Sequence, residues 1–140
     1  MYKMKRNKEK LLIIFIIIII LFLIYLMIPY FTINKLTIKY GSEFLPLYSE
    51  NGFYEDMEYL KVLQYRDEKA EMYYMDDDRL KKELSGLDDN YAAVLYIEEN
   101  HSSVSVFIFD DVDGEWRLSS WHLIWSVSGT ADGFIWPYYF

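Results

Sequence analysis

Cysteine is absent from the 140-residue chain, and histidine (2), proline (3) and glycine (6) are scarce. Without cysteine, no disulfide can cross-link an exported domain and no thiolate can bind zinc. The two histidines, His101 and His122, are isolated in the sequence and cannot form a structural zinc site by themselves. The glycines form no phosphate-binding loop or dinucleotide fingerprint, and no serine lies in a G-x-S-x-G elbow. The sequence therefore predicts a protein that is not an enzyme and that holds no metal or cofactor.

Charge is missing from Leu11–Ile28, which consists of nine Ile, five Leu, two Phe, one Tyr and one Met. A helix of this length covers about 27 Å, close to the thickness of the hydrocarbon core of a bilayer. We therefore predict a transmembrane signal anchor over residues 11–30, preceded by a basic tail over residues 1–10.

Basic residues are concentrated before this segment, where only Glu9 is acidic: Lys3, Lys5, Arg6, Lys8 and Lys10. The positive-inside rule places this end in the cytoplasm and the C-terminal domain outside it, in the cell membrane of a single-pass protein. A cleaved signal peptide is the alternative. Residues 29–36 contain no Ala or Gly for a small-x-small cleavage site, which favours retention of the segment.

The remainder of the chain, residues 36–140, is strongly acidic. It has 8 Lys and Arg against 21 Asp and Glu, which gives 8 − 21 = −13. This charge argues against nucleic acid as a partner, because nucleic-acid binding needs a basic surface. We expect an integral membrane protein with a protein partner. A basic partner fits the charge, as do cation binding and plain solubility.

The first part of this domain gives mixed signals. Ile33–Tyr40 alternates and is rich in β-formers, so it predicts a strand or an extended connector that ends at Gly41. Glu55–Arg66 fits both helix and strand spacing. We favour a strand that pairs with a second strand over Ala70–Met75 across the connection of residues 67–69.

A short helix is predicted over Asp76–Leu87. Its three initial aspartates can cap free N–H groups, and Gly86 is placed to end it. A cation site is the other interpretation of Asp76, Asp77 and Asp78.

The clearest β pattern is a meander of three strands, over Tyr91–Ile97, Val104–Phe109 and Trp116–Trp125. Asp110–Glu115 predicts a hairpin turn, because Gly114 adopts positive φ at little cost. A calcium loop is the alternative, but the register of an EF-hand fails: if Gly114 is sixth, the twelfth position is Ser120. The predicted fold class is α+β, a mostly antiparallel sheet with one or two short helices, preceded by a single transmembrane helix.

The strand, the acidic turn with glycine, and then Trp116-Arg117-Leu118 opening a long strand resemble the closing meander of cystatin-like and NTF2-like domains. The likeness covers residues 91–125. Many such domains are tethered to envelopes through an N-terminal anchor, and the resemblance implies a helix packed on a curved sheet. This sequence departs from that pattern, because no long N-terminal helix of the domain is evident. These folds carry many functions, so the resemblance implies none in particular.

Aromatic residues crowd the C-terminal end and the last long strand. A free tail of this kind would expose an apolar patch, which soluble surfaces rarely tolerate without a use. We expect the tail either to cover the sheet or to dock on a partner. The candidate residues for this closure or binding surface are Trp121, Trp125, Trp136, Tyr138, Tyr139 and Phe140.

Three functions fit these observations. The first is a membrane-tethered binding module outside the cytoplasm, of the immunity type or an envelope accessory. The second is an assembly subunit that acts through its membrane span. The third is an envelope hydrolase that uses acids such as Asp110, Asp111 or Asp113, although nothing in the sequence places two of them in one pocket.

Overall fold

A computed structural model describes residues 2–50, 57–70, 74–75, 78–98, 103–126 and 135–136, the side chains of residues 49, 57, 58, 74, 75, 125, 126, 135 and 136 excepted. The chain is α+β. Its elements in order are α1 (Tyr2–Phe44), α2 (Leu47–Glu50), β1 (Met57–Tyr65), β2 (Glu68–Lys69), β3 (Tyr74–Met75), α3 (Asp78–Ser85), β4 (Tyr91–Glu98), β5 (Ser103–Val112), β6 (Glu115–Ser126) and β7 (Ile135–Trp136).

The main sheet has five antiparallel strands in the order β2-β1-β4-β5-β6. The predicted meander is confirmed as β4, β5 and β6, with Leu95 opposite Val106 and Phe107 opposite Trp121. The predicted turn between β5 and β6 is also confirmed. Asp113 and Gly114 both have positive φ (55° and 85°), which matches the twist of a two-residue hairpin.

The central strands β4 and β5 are buried on both faces, which explains why their sequences are nearly continuous apolar runs. One face includes Leu95 and Val106 and forms a core with the leucines of α3. The other includes Tyr96 and Phe107 and forms a second core with the last three turns of α1 and with α2. The sheet is therefore the middle layer between two sets of helices.

The prediction of a strand or connector over Ile33–Tyr40 is wrong, because α1 continues without interruption to Phe44. Ile33, Leu36 and Phe44 are buried at helical spacing against the sheet. Gly41 does not end the helix. A Cβ at this position would lie 3.3 Å from Cδ1 of Leu60, so its lack of a side chain allows close approach to β1. The domain therefore has the long helix that the sequence did not reveal.

The hairpin that follows β1 is tighter than predicted. Its turn is Arg66-Asp67, and the partner strand is β2, with Tyr65 opposite Glu68. Arg66 adopts a φ of 55°, so a non-glycine residue takes the left-handed conformation here.

The predicted partner strand over Ala70–Met75 is only partly described. The N–H of Ala70 donates to the carbonyl of Leu63 in β1 at 3.0 Å, whereas Tyr74 and Met75 form β3, which pairs with β7 in a separate two-stranded sheet. Residues 71–73 lie outside the described residues.

The predicted helix over Asp76–Leu87 is confirmed in type, and α3 covers Asp78–Ser85. Its Leu80 is buried, and the N–H of Gly86 donates to the carbonyl of Lys82 at 3.1 Å, which closes the last turn. Asp76 and Asp77, the other members of the acidic triplet, lie outside the described residues.

Candidate functional site

The N-terminal half of α1 is exposed on all sides. No side chain in its apolar window is buried, and by length and composition this helix can cross a membrane. The basic residues that set the predicted orientation occupy the first turns of the same helix and are all exposed: Lys3, Lys5, Arg6, Lys8 and Lys10. The apolar segment and its basic flank therefore form one continuous element with the domain helix.

Polar contacts fix the direction of the domain relative to α1. Lys61 donates to Asn34 Oδ1 (3.1 Å), and the Tyr65 hydroxyl donates to Glu43 Oε2 (3.0 Å). Between them, the backbone N–H of Val62 donates to Thr37 Oγ1 (2.9 Å). β1 thus runs in the same direction as α1. The turns after β1 and β5 lie at the end of the domain farthest from the apolar segment, which we call the distal end.

The Val62–Thr37 bond also protects the sheet. β2 pairs with only the last two residues of β1, so the edge of β1 before them needs another partner. Thr37 satisfies one N–H of that edge, and α1 covers it. A covered edge does not recruit strands from other chains.

An aromatic and charged cluster ties the three elements at the distal end together. Arg66 forms an ion pair with Asp111 (2.7 Å) and lies over the ring of Trp116, 5.0 Å from its centroid. Glu43 of α1 accepts hydrogen bonds from Nε1 of Trp116 (3.1 Å) and from Tyr65. We call Glu43, Tyr65, Arg66, Asp111 and Trp116 the distal cluster. It connects the end of α1 to both hairpins.

Electrostatics in this region follow from these contacts. Partial burial raises the pKa of Tyr65, and the acceptor Glu43 raises it further, while Arg66 opposes the change. Next to the cluster, Glu68 accepts from the Tyr40 hydroxyl (2.8 Å) and from Lys39 (3.2 Å). The bond from Tyr40, and then that from Lys39, lowers the pKa of the Glu68 carboxyl. Glu68 of β2 therefore keeps its negative charge beside α1 down to a lower pH than a free glutamate does.

Three polar groups lie in the core between α1 and the sheet. The hydroxyl of Tyr96 donates to the carbonyl of Phe44 (2.6 Å), which satisfies a carbonyl left free at the end of α1. Burial raises the pKa of Tyr96 far above its usual value, so it stays a neutral donor. Beside it, the hydroxyl of Tyr48 donates to the buried carboxyl of Glu98. These bonds fix α1 and α2 on the sheet.

A separate cluster of polar side chains joins α3 to β6 on the opposite face of the sheet. Glu83 accepts from the Ser120 hydroxyl with one carboxylate oxygen and contacts Nε2 of His122 with the other, both at 2.6 Å. In a hydrolytic triad the imidazole stands between serine and carboxylate. Here the carboxylate stands between serine and imidazole, so the arrangement holds Ser120 as a donor and does not activate it.

The predicted aromatic surface is only partly described. Trp121 lies on β6 and is 46% exposed, with its ring 6.3 Å from that of Phe107. The backbone of Trp125 pairs with Val104, and that of Trp136 pairs with Tyr74. Tyr138, Tyr139 and Phe140 lie outside the described residues. Closure of the sheet by the tail and docking of the tail on a partner both remain predictions.

The sequence reasoning missed the polar contacts of α1, because it assigned their residues to a strand. The signal was present: Ile33, Leu36, Tyr40 and Phe44 follow the spacing of one helical face. Of the three acids considered for hydrolysis, Asp111 pairs with Arg66, and Asp113 lies in the exposed hairpin turn. The third, Asp110 on β5, has a buried Oδ1 that accepts no hydrogen bond from the described residues. Within the described ranges, no three His, Asp or Glu side chains come together in a way that could hold a metal ion.

Comparison of the chain with protein-family models, with curated proteins and with solved structures gives no match. The resemblance of residues 91–125 to cystatin-like and NTF2-like domains therefore stays a prediction.

Proposed function

We propose that this chain is a single-pass membrane protein that holds an acidic binding domain directly on the outer surface of the membrane. The N-terminus lies in the cytoplasm, α1 crosses the bilayer over residues 11–30, and the sheet domain binds a protein partner. The basic flank Lys3–Lys10 supports this orientation through the positive-inside rule.

One observation carries the proposal: a single helix is both the exposed apolar segment and part of the domain core. Leu11–Ile28 is exposed around the whole helix, whereas Ile33 is already fully buried in the domain. Ile33 lies five positions after Ile28, which is about 8 Å along the helix. No flexible linker separates the two parts, so the domain is held at the depth of the lipid headgroups with a defined orientation.

The orientation determines which surface meets a partner. The distal end points away from the membrane, and its turns expose mostly acidic side chains: Asp67, Asp88, Asp89, Asp113 and Glu115. In the distal cluster Arg66 is paired with Asp111, so it does not offset this exposed charge. A net charge of −13 over residues 36–140 repels anionic headgroups and attracts a basic protein. A partner with a basic surface therefore fits this domain.

Protease accessibility tests the proposal. Added to intact cells, protease should remove the domain and leave a short fragment that contains the N-terminus, and alkaline carbonate should leave that fragment in the membrane pellet. A domain protected until the cells are opened would contradict the orientation. A mature N-terminus near residue 35 would contradict the anchor.

Capture experiments test the binding role. The membrane-anchored chain should retain a basic protein at low salt and lose it as salt rises, because exposed charges are screened. A matched variant with Asp88, Asp89 and Asp113 changed to Asn should retain less. Retention that is unchanged in this variant and unaffected by salt would contradict charge-based binding at the distal end.

A further inference from the structure

The outward face of α1 carries large apolar side chains outside the apolar segment. Phe31, Ile38 and Leu45 are 61%, 88% and 56% exposed, respectively. Ile38 is more exposed than every side chain of Leu11–Ile28, although it lies ten residues beyond that segment. Leu45 directly follows the last residue of α1.

The core that the described part of the domain forms lies on the other side of α1. Residues on a helix are separated by 100°, so Ile38 points about 200° away from Leu36, which is 1% exposed against the sheet. The face with Phe31 and Ile38 is therefore opposite the buried seam of Ile33, Leu36 and Phe44. Because α1 is continuous and held by several contacts, it cannot rotate this face inward without unpacking the domain.

Lipid cannot cover the whole face either. If the hydrocarbon ends near Tyr30, the headgroup layer extends roughly 5–8 Å further. Phe31 lies within it, but Ile38 is eight residues beyond Tyr30, about 12 Å along the helix, and Leu45 is farther out. Lys35 is on the same side at headgroup height, where its long side chain can reach lipid phosphates. Neither lipid nor the described part of the domain therefore covers Ile38 and Leu45.

We propose that a second copy of this chain covers this face, with the two α1 helices packed in parallel. This proposal rests on the membrane anchor proposed above. Phe31 and Ile38 of α1, and Leu45 in the turn directly after its end, are spaced by seven residues, the repeat that keeps one helix seam facing another. A two-fold axis parallel to α1 places each of these residues opposite the same residue of the second copy. The same axis keeps both anchors in one membrane with the same orientation.

β6, the outermost strand of the five-stranded sheet, does not provide an alternative for two copies in one membrane. An antiparallel pair of β6 strands is related by an axis perpendicular to the sheet. Because the strands run along α1, that axis would point the two anchors in opposite directions. Two copies in the same bilayer can therefore pair through α1, but they cannot form an antiparallel pair of β6 strands.

The size of the contact predicts where it forms. From Ile17, which is two heptads before Phe31, to Leu45 the face is about 42 Å long and about 10 Å wide, roughly 400 Å² per copy in projection. That is less than the approximately 800 Å² per partner of a typical stable complex. Two copies therefore need the high local concentration of a shared membrane, with contact continuing into the span.

Single cysteines test the proposal cleanly, because the chain has none of its own. We would express full-length Ile38→Cys and Leu45→Cys and oxidise them in native membranes, with Lys81→Cys on the exposed surface of α3 as the matched control. If a residue faces the same residue of the second copy, the two Cα atoms lie within the approximately 4–7 Å that a disulfide requires. The same membranes are extracted with carbonate to verify the anchor.

The expected result is a disulfide-linked product of twice the 16.9 kDa chain, several-fold more abundant for Ile38→Cys and Leu45→Cys than for Lys81→Cys. Adding Ile38→Asn to Leu45→Cys should reduce that product several-fold. Membrane-retained Ile38→Cys that cross-links no more than the control would overturn self-association and leave the anchor standing. A product that contains a different protein would also overturn it. A chain released by carbonate would overturn the anchor and this proposal together.

Discussion

Along α1, residues 11–28 and residues 29–44 differ in how their apolar side chains are distributed. In the first half the apolar side chains surround the helix and are exposed, which is the distribution expected of a helix surrounded by lipid. In the second half only the buried apolar side chains follow one face. The outward faces carry Lys35, Lys39 and Ser42 together with the exposed Phe31 and Ile38. The comparison shows that one uninterrupted helix serves two environments, and that the change in pattern marks the boundary between lipid and domain.

The largest expected effect comes from the domain half. Phe44→Ala removes a ring that is 0% exposed and lies 5.4 Å from the ring of Phe109 and 5.6 Å from that of Trp116. Loss of a buried phenyl ring costs about 3–5 kcal/mol of unfolding free energy. Urea unfolding of the full chain in mild detergent, followed by tryptophan fluorescence, should show this decrease. The matched change Ile24→Ala in the apolar half should leave the midpoint unchanged. Equal midpoints for the two variants would contradict the division of α1.

A second test of the two halves of α1 introduces a charged residue into each of them. Ile19→Lys in the middle of the apolar segment should cost about 3 kcal/mol of insertion free energy, since Lys is disfavoured and Ile favoured at the centre of a span. Carbonate should then extract more of the chain. Ile38→Lys should leave extraction as in the unchanged chain, because Ile38 lies beyond the headgroups. Equal extraction of the two variants would show that Leu11–Ile28 does not span the membrane.

A smaller effect is expected from the bond that joins α1 to the edge of β1. Thr37→Val leaves the N–H of Val62 without its 2.9 Å acceptor and should cost about 1–3 kcal/mol of unfolding free energy. Thr32→Val is the control. Its hydroxyl donates only to the carbonyl of Ile28 at an exposed position and should change stability by less than about 0.5 kcal/mol. If the urea midpoints of the two variants shift equally, Thr37 does not protect the edge.

The smallest effect is a pH dependence at the contact between α1 and the β1–β2 hairpin. The pKa of Glu68 is lowered in the fold, first by the Tyr40 hydroxyl and then by Lys39. Its stabilisation is therefore complete above the ordinary value of 4.5 and is lost as the pH falls through the lower value of the folded state. Melting between pH 7 and pH 3 should fall less steeply for Glu68→Gln than for the unchanged chain. Asp67→Asn, at the exposed turn of the same hairpin, is the control, and an unchanged slope in Glu68→Gln would refute the linkage.

The meander was predictable because its information is local. Tyr91–Ile97 and Val104–Phe109 are apolar enough to be buried on both faces, and Asp113-Gly114 fits the conformation that a two-residue turn requires. The helical period of α3 and the apolar run of Leu11–Ile28 are local in the same sense. In each case the residue types and their spacing fix the element without reference to distant residues.

The end of α1 gave conflicting local signals, because its apolar residues follow the spacing of one helical face while its residue types favour a strand. Ile33–Tyr40 contains Ile, Thr and Tyr, which favour strands locally, and Gly41 is a common breaker, yet the segment is helical. Its helical state depends on burial of Ile33 and Leu36 against the sheet and on close approach of Gly41 to Leu60, a residue in a different element of the fold. Tertiary packing therefore overrode local propensity.

The sequence by itself determined the apolar segment, its basic flank, the acidity of the domain and the three-stranded meander, because each depends on composition or on spacing within one segment. The tertiary structure alone decided that α1 has no linker, that β3 pairs with β7, and that Glu43 and Arg66 meet in the distal cluster. The reason is physical. These features arise from contacts between residues far apart in the chain, and such contacts exist only after the sheet has brought its strands together.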